Sequence, residues 1–293
     1  MADTQFLKDN LVGFVPSVIS DDIIGMAVRG SSILRLSKVE RMESDNKTFS
    51  VMKKGVGAFW VKEAGRIQNS TPEWDFPKMS AEKIAVIIPV TKEKLEDTTI
   101  DVFGTIRPYI AEAFYEAIDS ACLFGTNSPF ANNIYDVVST TGQSVAAGTN
   151  AKLDLDISDV MHAVEQAGFD VDGFVAGLDF KNQLRKLRDA DGNQLYVEGV
   201  GQKQLYSLPI EFNRANSWDN TKALTIAGEW KYSVVGIRDE LAYETLTEAT
   251  LHNITMADGK PLSLAENDLI ALKVTMRLGF TIVQPKAFAI LAP

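Results

Sequence analysis

Apolar positions recur most regularly between residues 101 and 125, DVFGTIRPYIAEAFYEAIDSACLFG. Val102, Ile106, Tyr109/Ile110, Ala113/Phe114, Ala117/Ile118 and Ala121 fall at steps of three and four. That spacing lines one face of a helix. Asp101 predicts its cap and Gly125 its end. At 1.5 Å per residue such a helix spans roughly 36 Å. Pro108 predicts a kink or a later start. Cys122 lies near the apolar face and reads as a small core residue.

A different pattern runs from residue 58 to 90, AFWVKEAGRIQNSTPEWDFPKMSAEKIAVIIPV. Its ends are β-prone and its middle is polar, yet the middle carries Trp74 and Phe76. Residues 47–63 read as a hairpin turning near Lys54-Gly55, with AFWV as a strand, and 83–90 reads as another strand. A two-stranded ribbon alone is marginal in water, and its aromatics need a surface to cover. That surface comes from elsewhere in the chain or from another molecule.

The flanks are less regular. Residues 1–45 are short amphipathic pieces broken by Pro16, Gly25 and Gly30, an arm packed on something else. Thr91 predicts the cap of a short helix, KEKLEDT. Residues 126–152 read as loops. From Leu155 helix and strand alternate: DISDVMHAVEQAGFD and DFKNQLRKLRD as helices around the strand GFVAGL, then strands LYSLPIEFN, KALTIAGEW and YSVVGIRDELAYETL. The tail 266–291 reads as one long strand or a strand pair, with a turn at QPKAFA. There is no repeat or low-complexity tract.

Composition narrows the function. The 293 residues are 45% apolar and 23% charged, enough for one large or two medium domains. The formal net charge is −10, and no Lys/Arg cluster suits a dedicated nucleic-acid binder. Cys122 is the only cysteine, so no intrachain disulfide forms and a reducing compartment fits. The start lacks a signal-peptide pattern, and no apolar run approaches the roughly 20 residues of a membrane span.

A search for chemistry returns little. There is no phosphate-binding GxxxxGK[ST], no HExxH and no GxSxG. His162 and His252 are far apart in sequence, and no metal-ligand spacing is visible. The run from Asp189 through Asp191 to Asn193 resembles a calcium loop, but Gln194 and Val200 stand where a glycine and a bidentate glutamate belong. A tight polar turn explains it better. Asp154, Asp156 and Asp159 are explained by helix capping.

The order of the pieces resembles the tailed-phage major capsid proteins of the HK-ninety-seven type, whose fold is shared by encapsulins. WVKEAGRI, Phe76 and EKIAVIIPVTKEKLEDT resemble that family's extended E-loop, return strand and short acidic helix. AEAFYEAIDSACLFGTNSPF resembles its spine helix. GFVAGLDFKNQLRKLRDADGNQLYV through LYSLPI resembles its axial domain, and IAGEWKYSVVGIRDELAYE with ENDLIALKVTMRLGFTIVQPKAFAIL the strands of its peripheral domain. The resemblance covers nearly the whole chain, through order and spacing and not through one diagnostic motif.

The resemblance implies an α+β chain with an arm at 1–45 and an extended hairpin E-loop at 46–90. A peripheral domain takes 91–126 and 236–293, and a mixed α/β axial domain takes 127–235. It implies a structural, non-enzymatic shell subunit without cofactor or metal, building an icosahedral head from hexamers and pentamers around double-stranded DNA. The DNA is held by non-specific proximity only, and no membrane is involved. Trp60, Glu63, Arg66, Trp74, Phe76, Lys78, Asp189, Asp191, Asn193, Asp258 and Lys260 become candidate intersubunit residues. The arm-like sequence near Met1 suggests a separate scaffolding protein, beside a portal and a decoration protein, with assembly in the host cytoplasm. Some relatives weld subunits through an E-loop lysine and a peripheral-domain asparagine. Lys53, Lys54, Lys62 and Lys78 are in reach here, but Asp268 falls at the partner position with Asn267 beside it, so a non-covalent shell is expected. The alternatives are an encapsulin-type compartment and, in another class, an α/β enzyme with an unrecognised site.

Overall fold

The computed structural model describes residues 30–63, 65–93, 102–150, 152–188, 191–192, 204–213, 217–256 and 259–293. Helix α1 (Ser32–Leu36) starts at Ser31, whose Oγ accepts the Leu34 N–H and so caps the first turn. Ile33 and Leu34 are buried. Strand β1 (Lys38–Arg41) follows and pairs in parallel with β12 (Ser233–Leu246). Residues 31–42, expected in an arm packed elsewhere, therefore belong to the chain's own core. The arm residues before 30 lie outside the described residues.

Helix α2 (Val102–Phe124) is the long periodic helix expected, and it continues through Pro108. Gly125 stops it at φ 68°, with its N–H donating to the Ala121 carbonyl at 3.1 Å, a left-handed C-cap. Ile110, Phe114, Ile118 and Cys122 are buried along its core face.

A four-stranded sheet, ordered β1-β12-β15-β6, lies on one side of this helix. β15 (Leu269–Ile282) pairs antiparallel with β12 and with β6 (Glu82–Thr91). The expected strand at 83–90 is thus an edge strand of this sheet. Val274, Met276, Leu278, Phe280 and Ile282 join the α2 residues in one apolar cluster.

A second, six-stranded sheet is ordered β7 (Ser144–Ala146), β16 (Phe288–Ala292), β11 (Thr225–Gly228), β8 (Gly173–Gly177), β10 (Leu208–Asn213) and β9 (Gln204–Leu205). Its two faces feed two cores. Phe288 and Ile290 of β16 enter the α2 cluster. Ala289 and Leu291 enter a second cluster with α4 (Leu153–Gln166) and α5 (Leu178–Lys186). That alternation is the period-two geometry of a strand. The 126–152 stretch, expected as loops, contains β7 and helix α3 (Ile134–Thr141). Asn133 caps α3 by accepting the Asp136 N–H at 2.9 Å, and Gly142 ends it at φ 74°.

Asp119, fully buried on α2, joins α1 to this core. Its carboxylate accepts from Ser31 Oγ (2.6 Å), Ser32 N–H (3.0 Å), Ser32 Oγ (3.0 Å) and Ile33 N–H (3.3 Å). The Ser32 and Ile33 N–H groups are orphan donors of a helix start, supplied here with an acceptor from a distant helix.

Candidate functional site: an exposed ribbon

Between β1 and β6 the chain makes a ribbon. β2 (Asn46–Thr48) pairs antiparallel with β5 (Lys78–Ser80), and β3 (Val51–Lys54) with β4 (Glu73–Asp75). This corrects the expected hairpin at 47–63. The outward leg finds its partner across residues 55–72, not across a turn at Lys54-Gly55. AFWV, expected as a strand, lies within that connection and forms none. Two local bonds shape the connection. The Gly57 N–H donates to Ser70 Oγ at 2.6 Å, and the Gly65 N–H donates to the Lys62 carbonyl at 2.8 Å.

The ribbon keeps its apolar side chains in the open. Trp60 is fully exposed at 106%, and Trp74 and Phe76 are 52% and 57% exposed. Val56, Phe59, Val61 and Ile67 join them. Aromatics of this size remove roughly 150–250 Å² each from water when covered. Large apolar patches are seldom left open on a monomer. The root is the reverse: Met79 is 1% exposed and Met42 is 3% exposed.

Six of the eleven expected contact residues share this ribbon. Trp60, Glu63 and Arg66 lie in the tip, and Trp74, Phe76 and Lys78 on the return leg, all exposed. Asp191 is exposed beside Gly192, and Lys260 is exposed just before β14 (Pro261–Ser263). Both lie off the ribbon. Asp189, Asn193 and Asp258 fall outside the described residues. Sequence reasoning missed Phe59 and Val61 because AFWV matched a strand, and it missed Val56 and Ile67 because each is a lone apolar residue among polar and glycine neighbours.

Burial, and then nearby Asp119, pushes the Cys122 thiol well above its ordinary value, which keeps it in the inert thiol form. His162 and His252 are exposed. Among the described residues no three metal-ligating side chains gather, and no helix is long and apolar enough to cross a membrane.

Trypsin should cut isolated subunits at Lys62 and Arg66, because the tip buries too little to offset roughly 1–2 kcal/mol of backbone entropy per residue. Covered by neighbours, the same bonds should resist. Gel analysis of dissociated and assembled material checks this; equal resistance would show that the tip is ordered by its own chain.

The phage capsid family matches residues 13–292. The chain is 28% identical to the major capsid protein of Staphylococcus phage 80alpha, over 99% of this chain and 88% of the relative. A solved structure from Microbacterium phage Oxtober96 superposes with a TM-score of 0.79 at 28% identity, covering 90% of this chain and 91% of that one. The capsid of an empty GTA particle shares the fold at TM-score 0.69 and 18% identity, with 90% of each chain covered.

Proposed function

Because this chain belongs to the phage capsid family, as a shell-forming subunit of the major capsid type, we propose that its ribbon lies over a neighbouring copy and ties the shell together. The fully exposed Trp60, with Phe59, Val61 and Ile67 exposed on the same tip, carries the reading. Identical chains that close on themselves use heterologous contacts repeated around rotation axes. The copies form hexamers and pentamers of an icosahedral head. The six-stranded sheet with α3 to α5 builds the unit around those axes, and the four-stranded sheet with α2 builds the peripheral unit.

The contents are double-stranded DNA, held by proximity alone. A net charge of −10 supports this, since it keeps packaged DNA from adhering to the wall. Building a wall is the whole of the job; no catalysis is part of it. A separate scaffolding protein, a portal and a decoration protein complete the head, assembled in the host cytoplasm. The loops holding Asp189, Asp191 and Asn193, and Asp258 and Lys260, make further contacts between copies.

The contacts are non-covalent. Asp268, at φ 48°, offers its carbonyl to the Lys92 N–H at 3.1 Å. The neighbouring Asn267 amide donates to the Ser263 carbonyl at 2.7 Å. A carboxylate is a poor electrophile for a lysine amine, and this asparagine is engaged within its own loop.

The expressed chain should elute as megadalton particles that negative-stain microscopy shows as closed shells. Boiling those shells in detergent should release single chains of 32.1 kDa. Elution as a small oligomer would overturn the shell reading, and a ladder of multimers after boiling would overturn the non-covalent one.

A further inference from the structure

Gly236 of β12 and Gly279 of β15 face each other across the sheet. Neither has a positive φ, so what the fold needs at these positions is space. A Cβ on Gly236 would lie 2.4 Å from Met79 Cε and 2.5 Å from Met42 Sδ. One on Gly279 would lie 2.6 Å from the Ser80 carbonyl oxygen and 2.7 Å from Met79 Cγ. The paired glycines open a slot in the sheet, and the methionine on each side of the ribbon's root fills it. Met is unbranched and fits such gaps readily.

Charges close the same root. Asp45 pairs with Arg238 of β12 and, at 3.3 Å, with Arg277 of β15. Its carbonyl accepts the Ala81 N–H at 2.8 Å. On the outward leg Lys47 pairs with Glu40 of β1. Both legs are therefore held on three strands of the four-stranded sheet before the ribbon leaves it.

The geometry points to this root as a socket that fixes the direction in which each subunit presents its ribbon, and through that direction the curvature of the shell. The inference rests on the ribbon bridging copies, as set out above. The six residues beyond β2, Phe49 to Lys54, reach at most roughly 20 Å at 3.3 Å per residue, so a tilt of about 15° moves their far end by up to about 5 Å. That is enough to take an aromatic out of one contact and into another.

Two chemically unrelated variants test it in the full chain. Gly236→Ala crowds the slot, and Asp45→Asn removes the charge facing two arginines. In dissociated subunits, amide exchange at Asn46–Thr48 and Lys78–Ser80 should quicken roughly tenfold while core amides stay protected. Particles from either variant should show a broad spread of diameters by electron microscopy. Unchanged root exchange in both variants overturns the socket. Faster exchange with uniform wild-type diameters overturns its control of curvature. Failure of the ribbon reading itself is seen separately, as wild-type assembly in Trp60→Ala.

Discussion

Asp119→Ala should cost the dissociated subunit about 3 kcal/mol or more in a urea melt. The alanine removes an acceptor for four donors in a fully buried place. Ser31 and Ser32 can turn their hydroxyls elsewhere, but the Ser32 and Ile33 N–H groups cannot move without unwinding α1. Each buried donor left without a partner costs about 1–3 kcal/mol. Asp119→Asn should fall between, since one oxygen still accepts while the amide nitrogen meets donors. Burial holds the carboxyl above its ordinary 3.8 despite these donors. A raised pKa stabilises fully below the unfolded value, and that contribution is lost as pH rises through the folded one. The gap between wild type and Asp119→Ala should therefore be widest below pH 3.8 and shrink toward neutrality. A melt within 1 kcal/mol of wild type would show that α1 is held by Ile33 and Leu34 alone.

The second large effect is on assembly and leaves folding alone. Trp60→Ala with Trp74→Ala should leave the unfolding free energy of the subunit within about 0.5 kcal/mol, as for exposed substitutions generally. Particle yield at fixed concentration should fall at least tenfold. Truncating one interface anchor often costs 2 kcal/mol or more, and a shell repeats each contact at every subunit. The two measurements must be paired. A strong shift of the melt with unchanged yield per folded subunit would place these tryptophans in the subunit's own core. The intersubunit role of the ribbon would then be lost.

What was legible in the sequence was the set of elements whose pattern is decided locally. α2 showed itself through its stripe from Ile106 to Ala121, and β12, β15, α4 and α5 through the alternation of β-prone and helix-prone runs along the chain. α3 was hidden because its caps, Asn133 and Gly142, sit among other turn-forming residues. The ribbon was foreseen as an excursion with exposed aromatics, but its pairing was misjudged. Lys54-Gly55 is the nearest turn signal, whereas the true partner of Val51 is Asp75, across a tip that local rules cannot close. The socket was invisible. Gly236 and Gly279 are ordinary strand glycines until the fold brings Met42 and Met79 against them. Asp119 carried a usable sign: a carboxylate directly beside Ile118 and three residues before Cys122 lies on the apolar face of its helix.

β16 stands between β7 and β11, inside the six-stranded sheet. β7, β8, β10 and β11 all precede it in the chain. On the ribosome, this sheet therefore lacks an inner strand until residue 292 has cleared the exit tunnel. A chain broken off before Phe288 leaves β7 and β11 without the strand that joins them, with apolar faces on both sides uncovered. Such a product cannot complete the sheet and is a substrate for proteases. Truncation there is therefore expected to be lost at the level of the single chain, before assembly.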